Sequence, residues 1–220
     1  MNRLKLLAAL LPAALAGCTA YQPPQTVGQV QEEEPEYVMV VVLDLSGSYA
    51  RYMNDGKAWN AVTAMIRKFF RDRAGEADKL VIAQISRAPQ GPIWSGSPKA
   101  FRARFGGPWA FRDLLKQYDG NGSRVFDSIT EAVEYAMPLM GKGRAGCFVF
   151  SDMEDNLSQP GGEQRLVRAL AAFAQKGGSV GIYWCAFREA PRWRAQLKGA
   201  VKHFVVTADI DDDPQLPSWD

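Results

Sequence analysis

The sequence predicts an α/β fold with a doubly wound, mostly parallel six-stranded sheet that is flanked by helices. The first observation is the apolar run Tyr37 to Leu43, which has no polar interruption and is therefore typical of a strand buried on both faces. The second is the alternation of such runs with segments whose apolar residues recur every three or four positions. Strands and helices that alternate in this way imply right-handed crossovers and parallel pairing.

Local patterns predict each strand and helix in turn. Apolar runs predict strands at residues 37–43, 79–85, 91–95, 146–152, 179–187 and 201–207. Helical periodicity predicts helices at residues 57–72, 98–118 with a break at 106–108, from 125 to about 137, 163–175 and 191–198. The 91–95 run is short and contains Pro92, as an edge strand would. Residues 98–118 mix basic and aromatic side chains, which indicates either a binding surface or, in preference, an amphipathic helix pair with its aromatic residues inward.

The composition is that of a globular protein without a strong charge. Of the 220 residues, 47% are hydrophobic and 23% are charged, which is enough to build a core without staples. The formal net charge is +2. Without Arg3 and Lys5, which lie in the N-terminal segment of residues 1–17, the chain has 24 basic and 24 acidic residues. This balance argues against nucleic acid as the main partner, because nucleic-acid binding usually needs a basic field.

Residues 1–17 have the pattern of a lipoprotein signal peptide. A basic region at residues 3–5 precedes the apolar stretch Leu6 to Ala16, which is too short for a membrane-spanning helix. The stretch ends in Leu15-Ala16-Gly17-Cys18, which resembles the lipobox of bacterial lipoproteins. The resemblance implies a mature protein that begins at a lipidated (palmitate-bearing) Cys18. The threonine after it favours anchoring to the outer membrane, with the domain in the periplasm or at the cell surface. The alternative is a plain secretory signal or an N-terminal anchor.

The rest of the chain divides into a tether, one domain and a tail. Residues 18–36 are polar and contain proline and a run of glutamates, so they predict a flexible tether. One α/β domain is expected at residues 37–209, and residues 210–220 form an acidic C-terminal tail. Cys147 and Cys185 lie inside apolar runs, which favours two buried thiols. A disulfide between them stays open, because an exported protein meets an oxidising compartment.

Oxygen-bearing side chains gather where the predicted strands end. In open parallel sheets ligands bind beyond the carboxyl ends of the strands, so residues far apart in sequence converge at one edge. The candidate metal ligands are two carboxylates and three hydroxyls, namely Asp44, Ser46, Ser48, Ser123 and Asp152. No nitrogen or thiolate accompanies them, so the set suits Mg²⁺, Mn²⁺ or Ca²⁺ rather than zinc. The alternative for residues 44–48 is helix capping, in which such side chains satisfy free backbone N–H groups.

The Asp44-x-Ser46-x-Ser48 spacing after a buried strand resembles the metal-ion-dependent adhesion site (MIDAS) of von Willebrand factor type A (VWA) domains. The resemblance covers Tyr37 to about Asp209. It implies that Ser46 and Ser48 bind the metal directly and that Asp44 and Asp152 bind it directly or through water, with Mg²⁺ the most suitable cation. It also implies an open metal position that an acidic residue of a protein partner fills.

Two positions depart from the pattern of that family. Ser123 stands where the family has a threonine, and Arg124 beside it is placed to oppose a cation. Met153 follows Asp152, where the family commonly has glycine. These departures bear on the affinity of the site for metal and leave the predicted fold unchanged.

The expected function is protein–protein interaction or assembly in the cell envelope, without catalysis. The residues expected to form a partner-facing rim are Tyr49, Arg51, Tyr52, Glu154 and Asp155. One alternative is a metal-dependent periplasmic hydrolase, which needs a nucleophile or general base near the ion. The only histidine, His203, falls at the last predicted strand, which argues against that alternative. The other alternative is a structural lipoprotein with a vestigial metal site.

Overall fold

The structure is a computed structural model that describes residues 34–54, 56–73, 77–87, 91–115 and 122–209. The signal peptide, Cys18, most of the tether and the acidic tail lie outside the described residues, so those predictions remain predictions. Among the described residues, no helix has both the length and the hydropathy of a membrane span.

Six strands form one sheet in the order β3-β2-β1-β4-β5-β6. All neighbouring pairs are parallel except β2 with β3, which is antiparallel, so the predicted fold class is confirmed. The strands are β1 Tyr37–Asp44, β2 Lys79–Ile85, β3 Trp94–Gly96, β4 Arg144–Phe150, β5 Gly178–Cys185 and β6 Phe204–Ala208. The edge strand β3 begins after Pro92, because proline cannot donate a hydrogen bond to the sheet.

Seven α-helices cover the two faces of the sheet in the part of the chain that is described. They are α1 Gly47–Asn54, α2 Lys57–Asp72, α3 Pro98–Phe105, α4 Pro108–Leu115, α5 Val125–Ala136, α6 Gly162–Gln175 and α7 Ala190–Lys198. A 3₁₀ turn, Met137–Met140, continues α5. Sequence patterns did not predict α1, because it begins with Gly47 and lacks the proline that marks the start of α3 and of α4.

The central strand β1 is buried along its whole length, as its apolar run predicts. Val38, Val40 and Val42 belong to the core beneath α5, α6 and α7. Met39 and Leu43 belong to the core beneath α1 to α4, which lies on the other face. Each fully buried side chain of this kind contributes roughly 1.5–3 kcal/mol. Both cores therefore fix the position of Asp44, the last residue of the strand.

The preferred interpretation of residues 98–118 is confirmed over the residues described there. Ser97 caps α3, since its side chain accepts a hydrogen bond from the backbone N–H of Ala100 at 3.2 Å. Phe101 and Phe111 are buried, whereas Arg102 and Arg104 are exposed. Aromatic side chains thus face the core while the basic side chains face solvent.

Cys147 and Cys185 are free, buried thiols, which confirms the favoured prediction and excludes the disulfide. In the β4–β5 register Cys147 lies opposite Val180, five residues before Cys185. Burial raises the pKa of both thiols to about 12, so neither is a thiolate at neutral pH.

Candidate metal site

The candidate site lies where the chain direction across the sheet reverses. From β1 the chain first adds β2 and β3 on one side, and it returns to add β4 on the other. In open α/β sheets the crevice at such a point receives ligands, because the connections leave the two strand ends on opposite faces. Asp44 ends β1, and Ser151 and Asp152 directly follow β4. The two strands that carry predicted ligands are therefore neighbours.

The Asp44 carboxylate is completely buried and bonded on both oxygens. Its Oδ1 accepts a hydrogen bond from the backbone N–H of Ser46 at 2.9 Å, and its Oδ2 accepts one from the Ser151 hydroxyl at 2.7 Å. Burial raises the pKa of Asp44 to about 6, against the opposing effect of the Ser46 and Ser151 hydroxyls. The Asp152 carboxylate adds to the rise, so the two acids are close enough to interact.

Ser46 and Ser48 present their hydroxyls side by side at the start of α1. Their Oγ atoms are 3.4 Å apart. Ser46 is buried just before the helix, and Ser48 is exposed in its first turn. A hydrogen bond from the Ser46 hydroxyl also lowers the pKa of Asp44, so Ser46 interacts with the buried carboxylate. The pair thus offers two oxygen atoms above Asp44.

Asp152 is held in a strained loop. Its Oδ1 accepts a hydrogen bond from the N–H of Glu154 at 3.0 Å, and its carbonyl accepts one from Ala186 at 2.9 Å. Met153 has a φ of 63°, in the left-handed region that favours glycine, and its side chain is buried. The position at which the resembled family commonly has glycine therefore keeps a glycine-like backbone here, although it carries a methionine.

Ser123 lies buried at the entrance to α5. Its N–H donates to Asn156 Oδ1 at 3.3 Å, and the N–H of Arg124 donates to the carbonyl of Ser86 at 3.1 Å, directly after β2. The Arg124 guanidinium binds Asp127, with Nη2 2.6 Å and Nε 3.0 Å from Oδ2. The charge expected to oppose a cation is thus paired with a carboxylate on its own helix.

Sequence reasoning missed the polar network that holds the loop after Asp152 against α5. Asp127 is buried and also binds Arg165 at 2.5 Å and the N–H of Gln159 at 3.1 Å. The hydroxyl of Ser158 accepts from the N–H of Asp127 at 3.3 Å and donates to Asp155 Oδ1 at 2.7 Å. The signal in the sequence is weak, because the partners of Asp127 come from two separate segments.

No family model matches the sequence, and no curated protein matches it significantly. The crystal structure of the SpRpn10 VWA domain is similar at a TM-score of 0.51 and 12% identity, over 83% of this chain and 91% of that one. A von Willebrand factor type A structure from Catenulispora acidiphila is similar at a TM-score of 0.50 and 11% identity, over 81% of this chain.

The chain has the VWA fold. The pilus adhesin SpaC from Lactobacillus rhamnosus GG shares it at a TM-score of 0.54 and 10% identity, over 80% of this chain. This chain spans 39% of the C. acidiphila chain and 28% of the SpaC chain, so it matches one part of each. Identities this low establish the shared fold and leave the site to be argued from its own residues.

Within the VWA fold, two of the predicted rim residues have other roles. Tyr49 is completely buried, and its hydroxyl donates to the carbonyl of Tyr183 at 3.4 Å, so its placement on the rim is wrong. The cause is α1, which turns Tyr49 and Met53 together toward the core. Asp155 caps α5 by accepting from the N–H of Val125 at 2.7 Å, so this carboxylate is occupied as well.

The other rim residues stay nearer to the surface. Glu154 is exposed, and Tyr52 is half-buried with its hydroxyl donating to Asp209 Oδ2 at 3.2 Å. Arg51 belongs to α1, and its side chain lies outside the described part of the structure. Fewer of the predicted rim residues are therefore available at the surface than the sequence predicts.

The donor set fits a hard divalent cation. Among the described residues no three side chains of the His, Cys, Asp and Glu types gather into a metal-binding group, so carboxylates alone do not make a site. Hydroxyls would have to supply the remaining oxygens, and oxygen donors of this kind suit Mg²⁺ or Mn²⁺ rather than zinc. The groups that act on the pKa of Asp44 are hydroxyls, an N–H and a second carboxylate. A cation bound beside Asp44 would offset the free-energy cost of burying the charged Asp44 carboxylate.

Proposed function

We propose that this protein is a lipid-anchored binding domain of the bacterial envelope that holds one divalent cation and uses it to engage an acidic residue of a protein partner. The proposed ligands are Asp44, Ser46, Ser48, Ser123 and Asp152, and Mg²⁺ is the cation best suited to them. The observation that carries the proposal is the buried Asp44 carboxylate beneath two hydroxyls that are 3.4 Å apart, at the edge of the sheet where ligands bind.

Each residue has a separate part in this function. Asp44 and Asp152 supply negative charge from fixed positions, since Ser151 and the N–H of Glu154 hold their carboxylates. Ser46 and Ser48 supply neutral oxygens, which leave a bound cation electrophilic toward a further carboxylate. The cation itself, when bound, supplies an open coordination position. The exposure of Ser48 leaves that position accessible to a large partner.

The position of the only histidine supports binding over hydrolysis. His203 precedes β6 rather than beginning it, so its predicted place within the strand is wrong by one residue. Because β6 is parallel to β5, the start of β6 lies at the edge of the sheet opposite the carboxyl ends of the strands. An imidazole there is too far from the candidate site to act as a general base.

The other VWA-fold proteins support the choice of a binding role. One of them is a pilus adhesin and another is a matrix protein of the mussel byssus, similar at a TM-score of 0.51 and 11% identity. The fold thus occurs in proteins whose names describe attachment and assembly. We extend that class of role to this chain together with the anchor at Cys18.

Replacing Cys18 with serine is expected to release the protein from the membrane. The variant lacks the thiol that would carry the lipid, so it should move from the outer-membrane fraction to the soluble fraction and take up no labelled palmitate. Cys147→Ser, which changes a buried thiol, should leave the fractionation unchanged. Equal membrane retention of wild type and Cys18→Ser would contradict the anchor.

Partner binding is expected to depend on both the cation and Ser48. The full-length protein should capture the same envelope protein in Mg²⁺ and lose it in EDTA, and Ser48→Ala should lose it in both. Ser95→Ala is a matched control, because it removes an exposed hydroxyl from the edge strand β3. Capture that is equal in Mg²⁺ and EDTA would contradict a metal-mediated contact.

A further inference from the structure

A second candidate site lies between α2 and the α3–α4 pair. It is a cavity of about 280 Å³ whose apolar lining comes from Ile66, Phe70, Phe101 and Phe111, all of which are buried. Phe70 neighbours Phe69, which packs on Tyr37 at the first residue of β1. The cavity is therefore displaced toward the edge of the sheet opposite the candidate metal site.

The aromatic lining is well braced, so the cavity does not depend on loosely packed side chains. Phe101 is the centre of the group, with ring centroids 5.5 Å from Phe70 and 5.3 Å from Phe111, both edge-on. Such arrangements are favourable beyond the burial of area. Gly106 and Gly107 line another side, where a Cβ atom would meet nothing within 4 Å. One wall is thus rigid and another is open.

Two arginines line this apolar cavity, and both are exposed. Arg102 is fixed there, since its Nη2 donates to the carbonyl of Phe70 at 3.1 Å and its guanidinium lies 5.2 Å from the centre of the Phe70 ring. None of the nine described residues that line the cavity is acidic. Among the described residues, neither Arg67 nor Arg102 forms an ion pair with a carboxylate.

We propose that this cavity binds a small amphipathic carboxylate, of the class of a medium-chain fatty acid. The apolar lining fits an acyl chain, and the planar guanidinium groups match the geometry of a carboxylate head. The volume lies just below the usual range for small-molecule sites, which begins at about 300 Å³, so a large ligand would not fit. Phe101, Arg102 and Phe111 of the 98–118 segment would thereby serve both in helix packing and as part of the wall of the cavity.

Octanoate tests this assignment, with octanol as the matched neutral probe. Saturation-transfer NMR on the full-length chain, in EDTA so that the metal site plays no part, should show saturable octanoate binding and much weaker octanol binding. Arg67→Glu should weaken octanoate binding at least about tenfold, the effect of losing a hydrogen bond to a charged group. Arg168→Glu, an exposed arginine on α6 on the other face of the sheet, is the matched control and should change little.

A second variant locates the bound chain. Thr63 lines the cavity from α2, and Thr63→Phe should fill part of it and abolish octanoate binding while the far-UV circular dichroism spectrum stays unchanged. Three results would each overturn the proposal. The first is octanoate binding that does not saturate up to about 5 mM, since so weak an interaction would not be specific. The second is octanol binding as strong as octanoate binding. The third is full octanoate binding to a folded Thr63→Phe variant.

Discussion

Asp44→Asn is expected to stabilise the metal-free protein above pH 7 by about 2 kcal/mol. Burial raises the pKa of Asp44 from 3.8 to about 6, which corresponds to about 3 kcal/mol of unfavourable free energy when the group is charged in the folded state. Asparagine carries no charge and so avoids this cost. The loss of one of the two hydrogen bonds that Asp44 accepts offsets about 1 kcal/mol of the gain.

The effect has a defined pH window. A carboxyl whose folded pKa is raised favours the folded state while it is protonated, and that contribution is lost as the pH rises from about 4 through about 6. Urea unfolding of wild type in EDTA should therefore show declining stability over this range, whereas Asp44→Asn should lack that decline. A variant that is less stable than wild type at pH 7.5 in EDTA would show that the hydrogen bonds outweigh the buried charge.

Adding Mg²⁺ should reverse the order of the two proteins. A ligand that binds only the folded state stabilises it by an amount that grows with the ligand concentration relative to Kd. Wild type should gain stability with added Mg²⁺, and Asp44→Asn should gain little. Asp44→Asn thus distinguishes the destabilising effect of the buried charge in the metal-free protein from its stabilising effect when Mg²⁺ is bound. If Asp44 had only a structural role, added Mg²⁺ would change the stability of both proteins equally.

Asp127→Asn is expected to destabilise the protein by about 3 kcal/mol at neutral pH. Removing the charge leaves Arg124 and Arg165 without their buried carboxylate partner, and breaking a fully buried pair of this kind costs about 3–5 kcal/mol. The partial exposure of both arginines places the expected value at the lower end. Chemical unfolding measures the loss, and Asp72→Asn, which breaks a surface ion pair with Lys68, should cost far less.

The cost of Asp127→Asn should disappear in acid. Burial opposes ionisation of Asp127, yet hydrogen bonds from the N–H of Gln159 and from Arg165 and Arg124 hold its pKa below the ordinary value. A carboxylate of this kind stabilises the fold above its unfolded pKa of 3.8, and that contribution is lost as the pH falls through the folded value. Wild-type and variant stabilities should therefore converge at low pH, and a constant difference down to pH 2 would contradict the ionic origin of the effect.

The periodic segments explain why so much of the fold follows from sequence. All residues of β1 are buried, and the buried residues of α2 recur every three or four positions. Each pattern extends over many consecutive residues, so it can be recognised in the sequence. The placement of Asp44 and Ser151 at the same edge of the sheet could also be predicted, because the carboxyl ends of parallel strands share an edge. Their direct contact could not be predicted, because β4 lies beside β1 in the sheet but is not the next strand along the chain.

The parts that sequence could not predict depend on single contacts between distant segments. Tyr49 is buried because α1 forms, and no proline marks the start of that helix as one does for α3 and α4. Asp155 caps α5 across a gap of 30 residues, so no local motif marks it. The left-handed backbone at Met153 is likewise invisible, since methionine gives no sign of a conformation that glycine usually supplies.

Asp44, Ser46 and Ser48 are expected to bind one divalent cation. Titration of the metal-free, full-length protein with Mn²⁺, followed by the electron paramagnetic resonance signal of free Mn²⁺, measures stoichiometry and affinity together. We predict one bound Mn²⁺ per chain, competed by Mg²⁺, and binding at least about 100-fold weaker in a folded Ser46→Ala/Ser48→Ala variant. Undetectable Mn²⁺ binding to wild type, or equal affinity in the double variant, would contradict this expectation.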